Sequence, residues 1–321
     1  MPEPRHDVTG IGEVMLRLSV PVGRRLETTH RLDVAPGGSE GNVAYALARL
    51  GRRTAWVSAL PTNPLGRIIA NHLRGAGVNL DGVVWSSTGR VGTYYVEFSA
   101  PPRPIQVVYD RADSCISRLR ADQVNWPAFL DTRVIHISGI TPALSPTCRA
   151  IAEQTIAQAR AAGVKISFDI NYRQKLWTEA RAREVLEPLI RDTDMLLCSQ
   201  IDARRVFDCK GTTEEIVMQL VERTGARNVV VSCGDQGAKA WDGGQLLYEQ
   251  ALPVHIVDRL GAGDALAAGV LHGWLNGSLA QGLRYGVVLA ALALSQFGDM
   301  VDTTRDEVES LVARVTGGVI R

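Results

Sequence analysis

Leu260-Gly261-Ala262-Gly263-Asp264-Ala265-Leu266-Ala267-Ala268-Gly269 passes from small, permissive residues into an apolar run of helix formers, and one acid, Asp264, stands at the junction. Glycines let a backbone turn tightly and approach a ligand closely, and the first turn of the following helix offers unpaired N–H groups and a positive dipole end. The stretch therefore predicts an anion pocket with a carboxylate at its edge. A carboxylate cannot help bind phosphate, so the chemistry it suits is accepting a proton from a group that attacks the phosphate. Taken alone, the same residues also describe a glycine-softened turn with Asp264 as its capping acid.

Around this stretch, short β-rich runs at residues 8–18, 54–60, 134–138, 164–169, 195–199 and 229–232 are separated by helical patterns. Residues 146–162 and 178–191 read as helices with Ser145 and Thr178 as N-caps. Strand then helix, repeated, predicts an α/β fold with a doubly wound, mostly parallel sheet. Such sheets bind ligands beyond the carboxyl ends of their strands. Asp169, Asn171 and Arg173, with Ser199 and Asp202, fall at those ends. Residues 266–275 and 279–297 read as consecutive helices whose Ala, Gly and Leu suit close packing on the sheet. Residues 303–315 read as a last amphipathic helix capped at Thr303 or Thr304.

The alternation breaks between Gly92 and Arg111, where two β-rich arms flank a proline-rich turn at 101–104 with no helix between them. With residues 14–34 this hairpin predicts a small projecting sheet that serves as a lid; an edge hairpin packed on the core is the alternative.

At 321 residues the chain suits a single large domain. A formal net charge of +1 argues against nucleic acid or an anionic membrane as partner. The five cysteines are scattered and odd in number, with no C-x-x-C pair, so neither disulfides nor a zinc site are expected. With no apolar segment at the start and no run of membrane-spanning length, the expected location is cytoplasmic.

A second glycine-rich helix start runs from Pro36-Gly37-Gly38-Ser39-Glu40-Gly41-Asn42 to Gly51, and the Asn42 amide is placed to reach toward a hydroxylated ligand. The pairing of this segment with Gly261-Ala262-Gly263-Asp264 resembles the two signatures of the ribokinase-like carbohydrate kinases, the PfkB family. Leu65-Gly66, Cys233-Gly234-Asp235-Gln236-Gly237-Ala238 and Val257-Asp258-Arg259-Leu260 extend the resemblance, which runs from Gly10 to the final helix. No G-x-x-x-x-G-K-[ST] is present, so this is not a P-loop chain.

The resemblance implies phosphoryl transfer from ATP to a sugar hydroxyl, with Asp264 as base and the amides of Gly261, Ala262 and Gly263 as an anion hole. Ser199, Ser232, Gly234, Gly237, Gly261 and Gly263 would hold the nucleotide, and Mg2+ would ride on its phosphates. One departure stands out. Family members commonly carry Asn-x-x-Glu where this chain has Ser199-Gln200-Ile201-Asp202. Asp202 would meet the metal, through water, or else simply charge a helix start.

Arg111 and Arg173, at expected lid and strand-end positions, suit a carboxylate, which a guanidinium fork meets with two donors. The alternative leaves them solvated or pairs them with Asp110 and Asp169. By resemblance to the 2-keto-3-deoxygluconate kinase branch, Tyr94, Tyr109, Arg111 and Arg173 would hold a keto acid, and Gly37, Gly38 and Asn42 would contact its hydroxyls. The expected substrate is 2-dehydro-3-deoxy-D-gluconate, phosphorylated at the 6-hydroxyl. Fructose, another neutral sugar or a related keto-deoxy acid are the rivals, and a sugar-binding regulator without catalysis is a rival of another class. A homo-oligomer assembled through the lid fits the same resemblance.

Overall fold

The structure is a computed structural model and describes residues 3–99 and 103–316. The first third of the chain forms β1 (His6–Ile11), β2 (Met15–Ser19), β3 (Asp33–Gly37), α1 (Ser39–Arg49), β4 (Thr54–Pro61), α2 (Pro64–Gly75), β5 (Val83–Ser86), β6 (Thr93–Glu97) and β7 (Gln106–Asp110). The middle forms α3 (Trp126–Leu130), β8 (Thr132–Ser138), α4 (Ile140–Leu144), α5 (Pro146–Ala162), β9 (Lys165–Asp169), α6 (Glu179–Ile190), β10 (Met195–Ser199), α7 (Gln200–Phe207), α8 (Thr213–Thr224) and β11 (Val229–Ser232). Then follow β12 (Ala238–Trp241), β13 (Leu246–Glu249), α9 (Ala262–Leu275), α10 (Leu279–Leu294) and α11 (Arg305–Thr316).

Nine strands make one sheet in the order β13-β12-β11-β10-β9-β8-β1-β4-β5, parallel from β5 to β11. Only the pairings β11–β12 and β12–β13 at the edge are antiparallel. Because successive side chains of a strand face opposite ways, Leu196, Val229 and Val231 enter a core covered by α5 to α8. Met195, Leu197 and Val230 enter another, covered by α1, α9 and α10. This is the doubly wound α/β layer that the alternation predicts. The caps follow too: Ser145 accepts from the Cys148 amide, Thr178 from Arg181, and Thr304, the second of the two expected caps, from Glu307.

Four strands, in the order β3-β2-β6-β7, form a second, smaller sheet. The hairpin β6–β7 sets Tyr94 opposite Tyr109, and the expected turn at 101–104 lies partly outside the described residues.

Three expectations need correction. The single β run at 8–18 is two strands in two sheets, with the chain crossing between layers at Gly12, where a Cβ would stand 2.2 Å from the Glu40 carboxylate. The helix read from 266 begins at Ala262, because Gly261, at φ 81°, is its cap, so Asp264 belongs to the first turn. The glycines of α9 and α10 serve helix-to-helix contact: a Cβ on Gly269 would lie 2.4 Å from the Gly286 nitrogen, and one on Gly273 2.3 Å from that of Gly282.

Among the described residues, no helix is long and apolar enough to cross a membrane. All five cysteines are buried and free.

Candidate active site

The carboxyl ends of β9, β10 and β11, the starts of α1 and α9, and the inner face of the small sheet enclose a cleft of about 420 Å³. Both glycine-rich helix starts open into it. Gly38 is needed for close approach, since a Cβ there would strike the Glu13 carbonyl at 2.0 Å. Gly261 combines its positive φ with the Asp299 carbonyl 2.0 Å from where a Cβ would stand.

Asp264 is 7 % exposed and held on both oxygens. Ser39 Oγ donates to Oδ1 at 2.8 Å, Asn42 Nδ2 to Oδ2 at 2.7 Å, and Asn171 Nδ2 reaches Oδ1 at 3.4 Å. Asn171 also donates to Ser39 Oγ and to Asp169 Oδ2. The carboxylate is thus aimed by donors from α1 and from the loop after β9, which suits a general base better than a cap. The α9 start has no side-chain cap, so its first N–H groups remain for an anion.

Negative charge is in excess nearby. Burial first, then the charges of Asp264 and Asp202, push the Asp169 carboxyl well above the usual range, and burial also raises that of Asp202. Such a site favours an incoming cation. Among the described residues, no group of three or more His, Cys, Asp or Glu is arranged to hold a metal.

The other expected site residues divide. Gly37, Gly38, Asn42, Tyr94, Tyr109, Arg111, Arg173, Ser199, Asp202, Ser232, Gly261 and Gly263 all line the cleft, with Ala262 between the last two. Gly234 and Gly237 do not; they shape the turn between β11 and β12, where both have positive φ and a Cβ on Gly237 would strike the Glu249 carbonyl at 2.1 Å. Ser199 caps α7 through the Asp202 amide, and Asp202 accepts from the Tyr172 amide, so this acid both charges a helix start and lines the cleft.

The Asn42 side chain, expected to face a hydroxylated ligand, donates one Nδ2 hydrogen to Asp264 and accepts the Gly38 N–H on Oδ1. Arg111 does not pair with Asp110, which binds Arg90. Its Nε and Nη2 donate to Glu13 Oε2 at 2.8 and 2.5 Å, leaving Nη1. Arg173 is exposed and makes no ion pair with a described residue, Asp169 included.

Sequence reasoning missed Ser39 and Glu13. Glu13 is 3 % exposed, lines the cleft, and its Oε1 has no hydrogen-bond partner. The sequence places Asn171 at a strand end and gives it no role. Its φ of 40°, rare outside glycine, marks a strained backbone of the kind that collects at functional sites.

A doubly wound layer faces a smaller β sheet across a cleft that both glycine-rich helix starts enter, and the comparisons with known proteins give its class. The chain belongs to the pfkB family of carbohydrate kinases, whose family model matches residues 5–305. It is 37 % identical over 316 residues to a 2-dehydro-3-deoxygalactonokinase of Haloferax volcanii, covering 98 % of this chain and 99 % of that one. It is 26 % identical over 318 residues to a 5-dehydro-2-deoxygluconokinase of Listeria monocytogenes, with 97 % of each covered. The solved 2-dehydro-3-deoxygluconokinase of Thermotoga maritima superposes with a TM-score of 0.91 at 33 % identity, over 97 % of this chain and all of that one.

Proposed function

We propose that this kinase transfers the γ-phosphoryl group of ATP to the 6-hydroxyl of 2-dehydro-3-deoxy-D-gluconate. The observation that carries the reading is the meeting, in one cleft, of a carboxylate held by three side-chain donors with an uncapped helix start and an unpaired guanidinium. Asp264 takes the proton of the attacking hydroxyl as its oxygen bonds to phosphorus and the bond to the β-phosphate oxygen breaks. The N–H groups at Gly261, Ala262 and Gly263 face the charge on the transferring group. The nucleotide lies over Ser199 and Ser232, beside the turn shaped by Gly234 and Gly237. Asp202 would hold, through water, a Mg2+ brought by the nucleotide, which would supply charge neutralisation on the phosphates.

The carboxylate of the sugar acid pairs with Arg173, joined by the free Nη1 of Arg111. Tyr94 and Tyr109, stacked with centroids 5.8 Å apart, form a wall of the sugar pocket, and the small sheet acts as the lid. A second reading, the C4 epimer 2-dehydro-3-deoxy-D-galactonate, is favoured by the name of the 37 % identical relative. Five free cysteines suit a reducing compartment, the cytoplasm.

A coupled ADP-release assay over both epimers, 5-dehydro-2-deoxygluconate and fructose tests this. One of the two epimers should show the highest kcat/KM, with fructose lower by about 10²-fold or more, since a neutral sugar brings no anion to Arg173. Fructose preferred over every acid would overturn the carboxylate assignment.

A further inference from the structure

Arg17 is sealed inside the protein, 1 % exposed, and nothing in the proposed chemistry uses it. It projects from β2 of the small sheet, yet its anionic partners belong to the segments that carry and underlie the α9 start. Nη2 donates to Asp258 Oδ2 at 2.5 Å and Nη1 to Asp299 Oδ1 at 2.6 Å. Ser19 Oγ takes Nε at 2.8 Å, and the Phe98 ring lies 5.1 Å from the guanidinium carbon.

Both carboxylates brace the turn that carries the anion hole. Asp258 Oδ1 accepts the Leu260 N–H at 3.0 Å, and its Oδ2 accepts the Gly298 N–H at 3.2 Å, tying residues 258–260 to 298. The backbone of Asp299 lies directly beneath Gly261. Burial pushes the Asp299 carboxyl up, and the guanidinium pulls it back. A planar fork meets two acceptors at once, which an ammonium at the end of a flexible stem does not.

We propose that Arg17 is a positioning residue, an internal cation borne by the small sheet that sets the anion-binding turn at Gly261–Gly263 and joins its geometry to the placement of that sheet. The inference rests on the kinase reading for its catalytic consequence. Its structural half stands without any substrate: the guanidinium should keep the Leu260 and Gly298 amides bonded to Asp258.

The test compares wild type, Arg17→Lys and Arg17→Ala by steady-state kinetics, thermal melting and amide hydrogen exchange, with and without low-millimolar guanidinium chloride. Arg17→Ala should lose about 10²-fold in kcat, with KM for the sugar acid changed less than about threefold, because the turn acts on developing charge. Added guanidinium should restore at least about tenfold of that loss, on the same footing. Arg17→Lys should lose about tenfold in kcat, having one contact where arginine has two. In the alanine variant the Leu260 and Gly298 amides should exchange faster and recover protection with guanidinium.

If kcat per folded molecule stays at wild type, or guanidinium raises the melting temperature and not kcat, the role is structural and the proposal falls. Should the alanine variant not fold, a lysine variant with wild-type kcat overturns it equally. A wrong substrate assignment would appear differently, as a wild type inactive on the sugar acids whose amide protection still depends on Arg17.

Discussion

The two glycine-rich helix starts, α1 and α9, share a local design and differ in where their acids face. Each carries a carboxylate in its first turn, Glu40 at the second helical position and Asp264 at the third. One residue turns a side chain through about 100° around the helix axis. That step sends Glu40 into the interior against β8 and Asp264 into the cleft. Glu40 is 1 % exposed, and its Oε1 accepts from the Ser138 amide, Ser138 Oγ and Thr141 Oγ1, with no cation beside it. Burial raises its carboxyl to about 7 despite those bonds. The helix start alone makes neither a base nor an anion hole; what decides is whether the acid meets solvent-reachable ligand space or a wall of hydroxyls. α1 instead contributes Ser39 and Asn42, which hold the acid of α9.

The sharpest way to break the comparison is Asp264→Asn. It should lower kcat by about 10³-fold, within the range a positioned base supplies, while the melting temperature holds or rises as charge repulsion on Asp169 is relieved. A variant that keeps wild-type turnover would remove the difference between the two helix starts.

Gly261→Ala attacks the backbone half of the α9 start. A φ of 81° and the Asp299 carbonyl in the way leave no room for a Cβ, so the turn must shift. About 10²-fold in kcat and about 1–3 kcal/mol of stability should be lost. Retention of kcat with only the stability lost would show that these amides do not face the developing charge.

The smallest effect belongs to Glu40→Gln and appears only against pH. A carboxyl raised in the folded state binds its proton there before it does so in the unfolded chain. Its contribution is therefore fully present below the unfolded value near 4.5 and is lost as pH rises through about 7. The neutral variant should gain up to about 3 kcal/mol on wild type at pH 8 and much less at pH 5. The difference between the two proteins is the quantity to measure, because His136 and His272, both lowered to about 4 chiefly by burial, act oppositely. Being kept neutral in the fold, they cost wild type and variant alike as pH falls below 6.5. Denaturant melts at both pH values check this, and a gain independent of pH would mean that Glu40 is ionised throughout.

Much of this frame was legible in the chain. Short β-rich runs alternating with helical ones described the parallel sheet, and two Gly-rich helix starts marked the walls of the cleft. The run at 8–18 misled because a continuous apolar pattern does not reveal a chain crossing from one sheet to another at Gly12. Arg111 lines the cleft as read, while Asp110, the alternative partner adjacent in sequence, points instead to Arg90. Gly234 and Gly237 read as nucleotide contacts, and their positive φ values make them the formers of a turn outside the cleft lining.

By itself, the sequence determined what depends on neighbours a few residues away: strand and helix periods, caps at Ser145 and Thr178, and turns that only glycine permits. The tertiary structure alone decided which charges meet, bringing Arg111 to Glu13 across 98 positions, Asn42 to Asp264 across 222 and Arg17 to Asp299 across 282. Local preference is written in backbone sterics, which act over one turn. A buried charge must find its counterpart wherever strand order brings one, because leaving it unpaired costs more than any local preference supplies.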